Sequence, residues 1–203
     1  MDLPTTHHGL LLDLARDAIR AALTGSPLAP LPEDPVLAQP AGCFVSLHDL
    51  QTHRLRGCVG RLDASAPLGQ VVRAMAEAVL EDPRFTDNPV TPADFPTLEI
   101  ELSIISPLTD APHPEAFDPP TEGIYLSCLG RTGCFLPQVA RETGWTKTQL
   151  LDRLCTEKLG LPASSWRTPD ARLQKFTTTV VGPAPFETRS PAGSPQARPP
   201  GRG

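Results

Sequence analysis

Proline placement limits this chain more than any other feature. The sequence carries 25 prolines, and they cluster at 27–40, 107–120 and 183–200. Proline lacks a backbone donor and pushes the residue before it towards extended geometry. Each cluster is therefore expected to be loop or tail, and regular structure must fit between them. The last cluster belongs to a stretch, 183–203, with almost no apolar side chains. It cannot bury enough surface to offset the entropy of ordering, so it is expected to be a disordered tail behind a domain spanning 1–182.

Between the clusters, the hydrophobic periodicity predicts three helices. His7 to Leu23 places Leu11, Leu14, Ala15, Ala18 and Ala22 on one stripe, with Asp13, Arg16, Asp17 and Arg20 on the other side and Gly25 as a stop. Pro67 to Glu81 carries a wide apolar stripe ending at Asp82-Pro83. Thr148 to Leu159 starts from a cap at Thr146 or Thr148 and ends at Gly160. Strands are predicted at 43–48, 54–59, 98–105, 124–128 and 176–181, with Pro137 ending a further extended run. Leu98, Ile100, Leu102 and Ile104 alternate with Glu99, Glu101 and Ser103, the pattern of one buried and one wet face. Helices and strands interleave without a βαβ rhythm, which favours α+β.

Composition excludes several classes. The net charge of −5 and 18 basic residues argue against broad capture of nucleic acid. No apolar run approaches the roughly 20 residues that span a bilayer, and the first residues lack the pattern of a secretory signal. The five cysteines are odd in number, scattered, and never form a CxxC pair. The reading is reduced thiols in the cytosol rather than a disulfide framework or a zinc site. No phosphate-cradling glycine loop or HExxH motif occurs, and no cofactor or metal is evident.

The segment Leu55-Arg56-Gly57-Cys58-Val59-Gly60 resembles the LRGCIG signature of the AMMECR-type family, the A component of the AmmeMemoRadiSam system. Gly42 to Leu47 precedes it, Glu81-Asp82-Pro83-Arg84-Phe85 follows, and Leu98 to Ser106, Gly133 to Ala140, Gly144-Trp145 and Leu154-Cys155 match in order. The resemblance covers roughly residues 8–182, with Cys134 standing where an aliphatic residue is usual. It implies an α+β fold, a mixed or antiparallel sheet flanked by helices, with a larger and a smaller subdomain around a cleft near the signature. It also implies association with a Memo-type protein and a radical S-adenosylmethionine protein. It brings no settled reaction.

The residues themselves supply the candidate chemistry. If the turn after Cys43–His48 closes symmetrically, Phe44, Ser46 and His48 face Cys58, Arg56 and Arg54. A slip of one residue would exchange the faces. In that register Cys58 shares a strand face with Arg56 and Arg54, whose charges favour a thiolate; the plainer alternative is a small residue in a crowded strand. His53, offset by an odd number of residues, is expected on the other face, and His48 lies too far along the strand for a Cys–His pair. Arg56 and Arg84 are candidate clamps for a carboxylate or phosphate, with an ion pair at Asp82-Pro83 as the alternative for Arg84. Glu99 and Glu101, about 7 Å apart on one strand face, are candidate acid–base groups. Gln138 is a weaker candidate contact, and Trp145 and Trp166 read as packing anchors. Two functions follow as expectations. One is an accessory or enzymatic component binding a small anionic ligand near Cys58; the other is a non-catalytic adaptor.

Overall fold

The computed structural model describes residues 3–187. Helix α1 (His8–Thr24) turns Leu11, Leu14, Ala15, Ala18 and Ile19 into the core, and Gly25 ends it in the left-handed conformation with its N–H on the Ala21 carbonyl at 2.8 Å. Arg16, expected on the wet side, is instead buried. Its guanidinium reaches Asp13 and the Pro185 carbonyl, both at 2.8 Å. Helix α2 (Leu68–Ala78) continues through a tighter turn, Val79–Glu81, and stops before Pro83.

Strands β1 (Gly42–Asp49), β2 (Leu55–Arg61), β3 (Leu98–Ile105), β4 (Thr109–Asp110), β5 (Glu122–Cys128), β6 (Arg131–Phe135) and β7 (Arg172–Pro185) form one sheet in the order β2-β1-β3-β7-β5-β6, with β4 on β7. Every pairing is antiparallel. The long β7 links two cores. Its C-terminal part pairs with β3, while its N-terminal part pairs with β5. The larger core joins α1 and α2 to Val45, Leu47, Ile100, Leu102 and Val181. The smaller one gathers Ile124, Leu126, Phe135, Leu151, Leu154 and Trp166. Beside it lie α3 (Pro137–Thr143) and α4 (Lys147–Arg153), the latter opened by a Thr146–Gln149 capping box and prolonged by a wider turn to Gly160. The expected α+β fold with a larger and a smaller subdomain is the one observed.

Two expectations need correction. The tail does not begin at 183: β7 runs through Pro185, and Phe186 is fully buried, stacked on Phe95 at 4.7 Å. One aromatic ring and the Arg16 bond anchor a segment whose composition reads as loop. Residues 188–203 of the expected tail lie outside the described residues. Nor is the polar side of β3 wet. Glu99 is 6% exposed and Ser103 5%: His53 Nδ1 lies 2.7 Å from Glu99 Oε1, and Gln138 Nε2 of α3 donates to Ser103 Oγ at 3.3 Å.

Candidate functional site

The signature strand is shaped by two close approaches. A Cβ on Gly57 would lie 2.9 Å from the Val79 carbonyl oxygen, and one on Gly60 would overlap the Phe44 ring. Gly57 therefore lets the end of α2 press against β2 from the core side, and Gly60 makes room for Phe44 on the other. Between them, Cys58 points away from the core. Cross-strand pairing sets Cys58 beside Ser46 and Ser46 beside Glu101, so the three stand in one row across β2, β1 and β3. Adjacent strands lie about 4.8 Å apart, and the row is about 10 Å long. Ser46 Oγ donates to Cys58 Sγ at 3.2 Å.

Helix α3 reaches the same sheet face beside this row. Gln138 reaches Ser103, two residues from Glu101, and Glu142 stands one helical turn further along α3 on the same side. Burial, then the charges of Glu99 and Glu142, raises the Glu101 pKa above the usual carboxylate value. Gln138 Oε1 and Thr178 Oγ1, opposite Ile105 on β7, are sealed from solvent without a hydrogen-bond partner. Such groups are costly unless a ligand or water satisfies them. Cys134 lies opposite Tyr125 on β6. Burial pushes its thiol up, Lys158 opposes this, and a charge on Cys58 would add to it. Three residues beyond Cys58 on the chain, Arg61 borders a cavity of about 760 Å³ whose far wall is Pro107, Leu108, Tyr125 and Gln174.

The two arginine candidates go different ways. β2 carries a bulge: Leu47 pairs with Gly57 but His48 with Leu55, so Arg56 is the extra residue. A bulge re-aims its side chain, and Arg56 turns towards Asp94, 3.6 Å away, in a separate cavity with Arg54, Phe85 and Asn88. The predicted register is thus corrected by two residues. Cys58 keeps its expected face, but its cross-strand partner is Ser46 rather than Phe44. Arg84 is the guanidinium next to Cys58. Its Nη2 donates to the Cys58 carbonyl at 2.9 Å, while Asp82 Oδ2 accepts from the Cys58 N–H at 2.9 Å and from Arg84 at 2.6 Å. Arg84 and the Cys58 N–H hold the Asp82 carboxyl well below the usual range. Asp82 and Arg84 thus clip the outer edge of β2 at Cys58. Both arginines proposed as anion clamps are already paired with carboxylates.

His53 is also corrected. It takes φ +54°, and Nδ1 comes within 2.7 Å of Glu99 Oε1. The Asp49 side chain binds the N–H groups of Gln51 and Thr52 and folds the turn that makes this reach possible. His48 pairs with Glu99 across β1 and β3, and burial lowers its pKa against the pull of Glu99. Neither histidine is hydrogen-bonded to Cys58. Cys43, Cys128 and Cys155 are buried, while Cys58 and Cys134 are half-buried; all five are free. Trp166 is a packing anchor as expected, its Nε1 on Asp152 at 2.7 Å. Thr178 and Glu142 escaped sequence reading, Ser46 was placed only on the strand face, and Asp82 was read as the ion-pair alternative for Arg84, which is the pairing found.

A two-core α+β protein with a half-buried thiol on the polar face of its sheet is the class these features define. The AMMECR1 family model matches residues 12–181, and the chain belongs to that family. The chain is 31% identical over 175 residues to protein TV1384 of Thermoplasma volcanium, covering 83% of this chain and 86% of that one. Protein PF1979 of Pyrococcus furiosus is 33% identical over 201 residues, covering 93% and 91%. The crystal structure of the uncharacterised protein PH0010 from Pyrococcus horikoshii superposes with a TM-score of 0.73 at 30% identity, covering 84% of this chain and 88% of that one. Among the described residues, no helix is long and apolar enough to cross a membrane.

Proposed function

We propose that the polar face of the sheet is a small-molecule site, with Cys58 as its reactive thiol and Glu101 as its acid–base group. The chain then acts as an enzymatic or accessory component on the ligand held there. The observation that carries this is the Glu101–Ser46–Cys58 row next to α3, with the unpartnered Gln138 Oε1 beside it. A solvated strand face leaves no sealed acceptor without a partner. Ser46 orients the sulfur and stabilises negative charge on it. Glu101, with its raised pKa, supplies a proton to a leaving group or receives one from a nucleophile.

The test is a thermal-shift screen of small molecules coupled to iodoacetamide labelling. A hit should slow alkylation of Cys58 and lose its effect in Cys58→Ala or Glu101→Gln. If no small molecule binds while a protein partner binds tightly, the adaptor reading replaces this one. Family membership supports work in the cytosol beside a Memo-type protein and a radical S-adenosylmethionine protein. Co-purification from the native host tests that association.

A further inference from the structure

We infer that the cavity of about 480 Å³ walled by Arg54, Leu55, Arg56, Phe85 and Asn88 binds a small oxyanion, a phosphate or carboxylate carried on an apolar body. This site is independent of the Cys58 reading, because none of Cys58, Ser46 and Glu101 lines the cavity. Arg56 carries the argument. The bulge in β2 turns its side chain away from the row and into the cavity wall. Only 15% of that side chain is exposed, yet among the described residues its guanidinium makes no hydrogen bond. Nε is sealed from solvent without a partner, and Nη1 lies 3.6 Å from Asp94 Oδ1, beyond hydrogen-bond length. A guanidinium presents five N–H donors in a fixed fork. Taking that cation out of water with its donors unmet is costly, and one carboxylate at ion-pair distance does not meet them.

Arg54 adds a second, independent observation. It is exposed on the same wall, and among the described residues its side chain has neither a hydrogen bond nor an ion pair. By count, two guanidinium groups meet two carboxylates, Asp49 on the wall and Asp94 beside Arg56. Both acids are turned to other donors. Asp49 Oδ1 accepts from the N–H groups of Gln51 and Thr52 and from the Thr52 hydroxyl. Asp94 Oδ2 accepts from the Thr91 N–H and hydroxyl, both at 2.8 Å. The uncommitted polar groups of the wall are therefore mostly donors: two guanidinium forks and the Asn88 amide. Two forks that converge on one cavity suit an oxyanion, which takes paired N–H donors. Leu55 and Phe85 supply apolar surface for the body that carries it, and the volume is that of a small-molecule site.

Isothermal titration calorimetry of the full chain at low ionic strength tests this with phenyl phosphate, benzoate, inorganic phosphate and benzylammonium as probes. Phenyl phosphate or benzoate should bind, and the tighter of the two assigns the anionic group. Inorganic phosphate should bind more weakly, benzylammonium should not bind, and added sodium chloride should weaken the anions. Arg54→Gln should weaken binding about tenfold or more, the loss of one charge-assisted contact. Arg54 is exposed, so this variant keeps the test alive if changes at Arg56 disturb folding. Arg56→Lys keeps the charge but loses the fork, and should weaken binding as well. Phe85→Leu should narrow the preference for phenyl phosphate over inorganic phosphate. Arg153→Gln, on α4, should change nothing. Unaltered affinity in both arginine variants, or tighter binding of benzylammonium than of either aryl anion, overturns the inference. Protection of Cys58 from iodoacetamide by phenyl phosphate would move the anion to the Cys58 row and overturn this placement. A failed screen at Cys58 leaves the oxyanion site standing.

Discussion

Leu47 and Ser46 are neighbours on β1, yet they belong to two different kinds of surface. On the Leu47 side, Val45, Ile100, Leu102 and Ile104 meet α1 and α2 and are essentially sealed. On the Ser46 side, Phe44, Cys58 and Glu101 are half-buried, and Ser103 meets Gln138 of the short helix α3. The first face is held by apolar area, which is non-directional and cooperative. The second is held by single hydrogen bonds, and Gln138 Oε1 and Thr178 Oγ1 near it have no partner. One strand thus divides its residues between stability and chemistry according to parity alone.

If that division is real, stability and thiol chemistry should separate under mutation. Leu47→Ala should cost about 3 kcal/mol by denaturant melting, the usual result of emptying a sealed aliphatic site. The intrinsic alkylation rate of Cys58 in the remaining folded protein should hardly change. A comparable loss from Ser46→Ala would break the comparison.

Asp82→Ala should cost about 2 kcal/mol, because it strands the Cys58 N–H and the Arg84 guanidinium, and it should also alter Cys58 reactivity. Asp82 is where the two faces communicate. Its depressed pKa means that its stabilisation is present above the ordinary carboxylate range and is lost as pH falls through the folded value. Thermal melts of wild type and variant should therefore converge only in strong acid.

Ser46→Ala should cost less than about 1 kcal/mol while shifting the iodoacetamide rate of Cys58, since it removes the hydroxyl that donates to the sulfur. An unchanged rate would mean that the hydroxyl does not govern the thiol.

Glu101→Gln should have the smallest effect and the opposite sign. A raised carboxyl pKa disfavours the charged form in the fold, so stability is fully present in acid and declines as pH rises through the raised value. The variant should melt slightly higher than wild type in alkaline buffer and equally in acid. A lower melting temperature in alkaline buffer would show that Glu101 has a partner holding it ionised.

Much of this was legible along the chain, but unevenly. Gly25 and Gly160 marked helix ends, and Thr146 marked the start of α4, because those signals are local. The period-two run at 98–105 disclosed β3 and its inner face. It did not disclose that α3, some 35 residues away, reaches the outer one. Cys58 and Glu101 were picked out by residue type. Their shared row with Ser46 depends on a register displaced by two residues, one at the turn, where His48 pairs with Leu55, and one through the bulge at Arg56, and a bulge leaves no pattern in an alternating strand. Phe186 shows the same limit: one buried ring holds a segment that composition reads as tail.

The sequence by itself determined the family, three of the helices, every strand but the short β4, and the inner face of β3. Those depend on periodicity, caps and short motifs, which act over a few residues. Only the tertiary structure decided which arginine meets Cys58, that Arg56 turns to Asp94, and that Glu101 has no hydrogen bond or ion pair among the described residues. Charge at a site is a sum over side chains brought together from distant positions, and that sum exists only once the chain has folded.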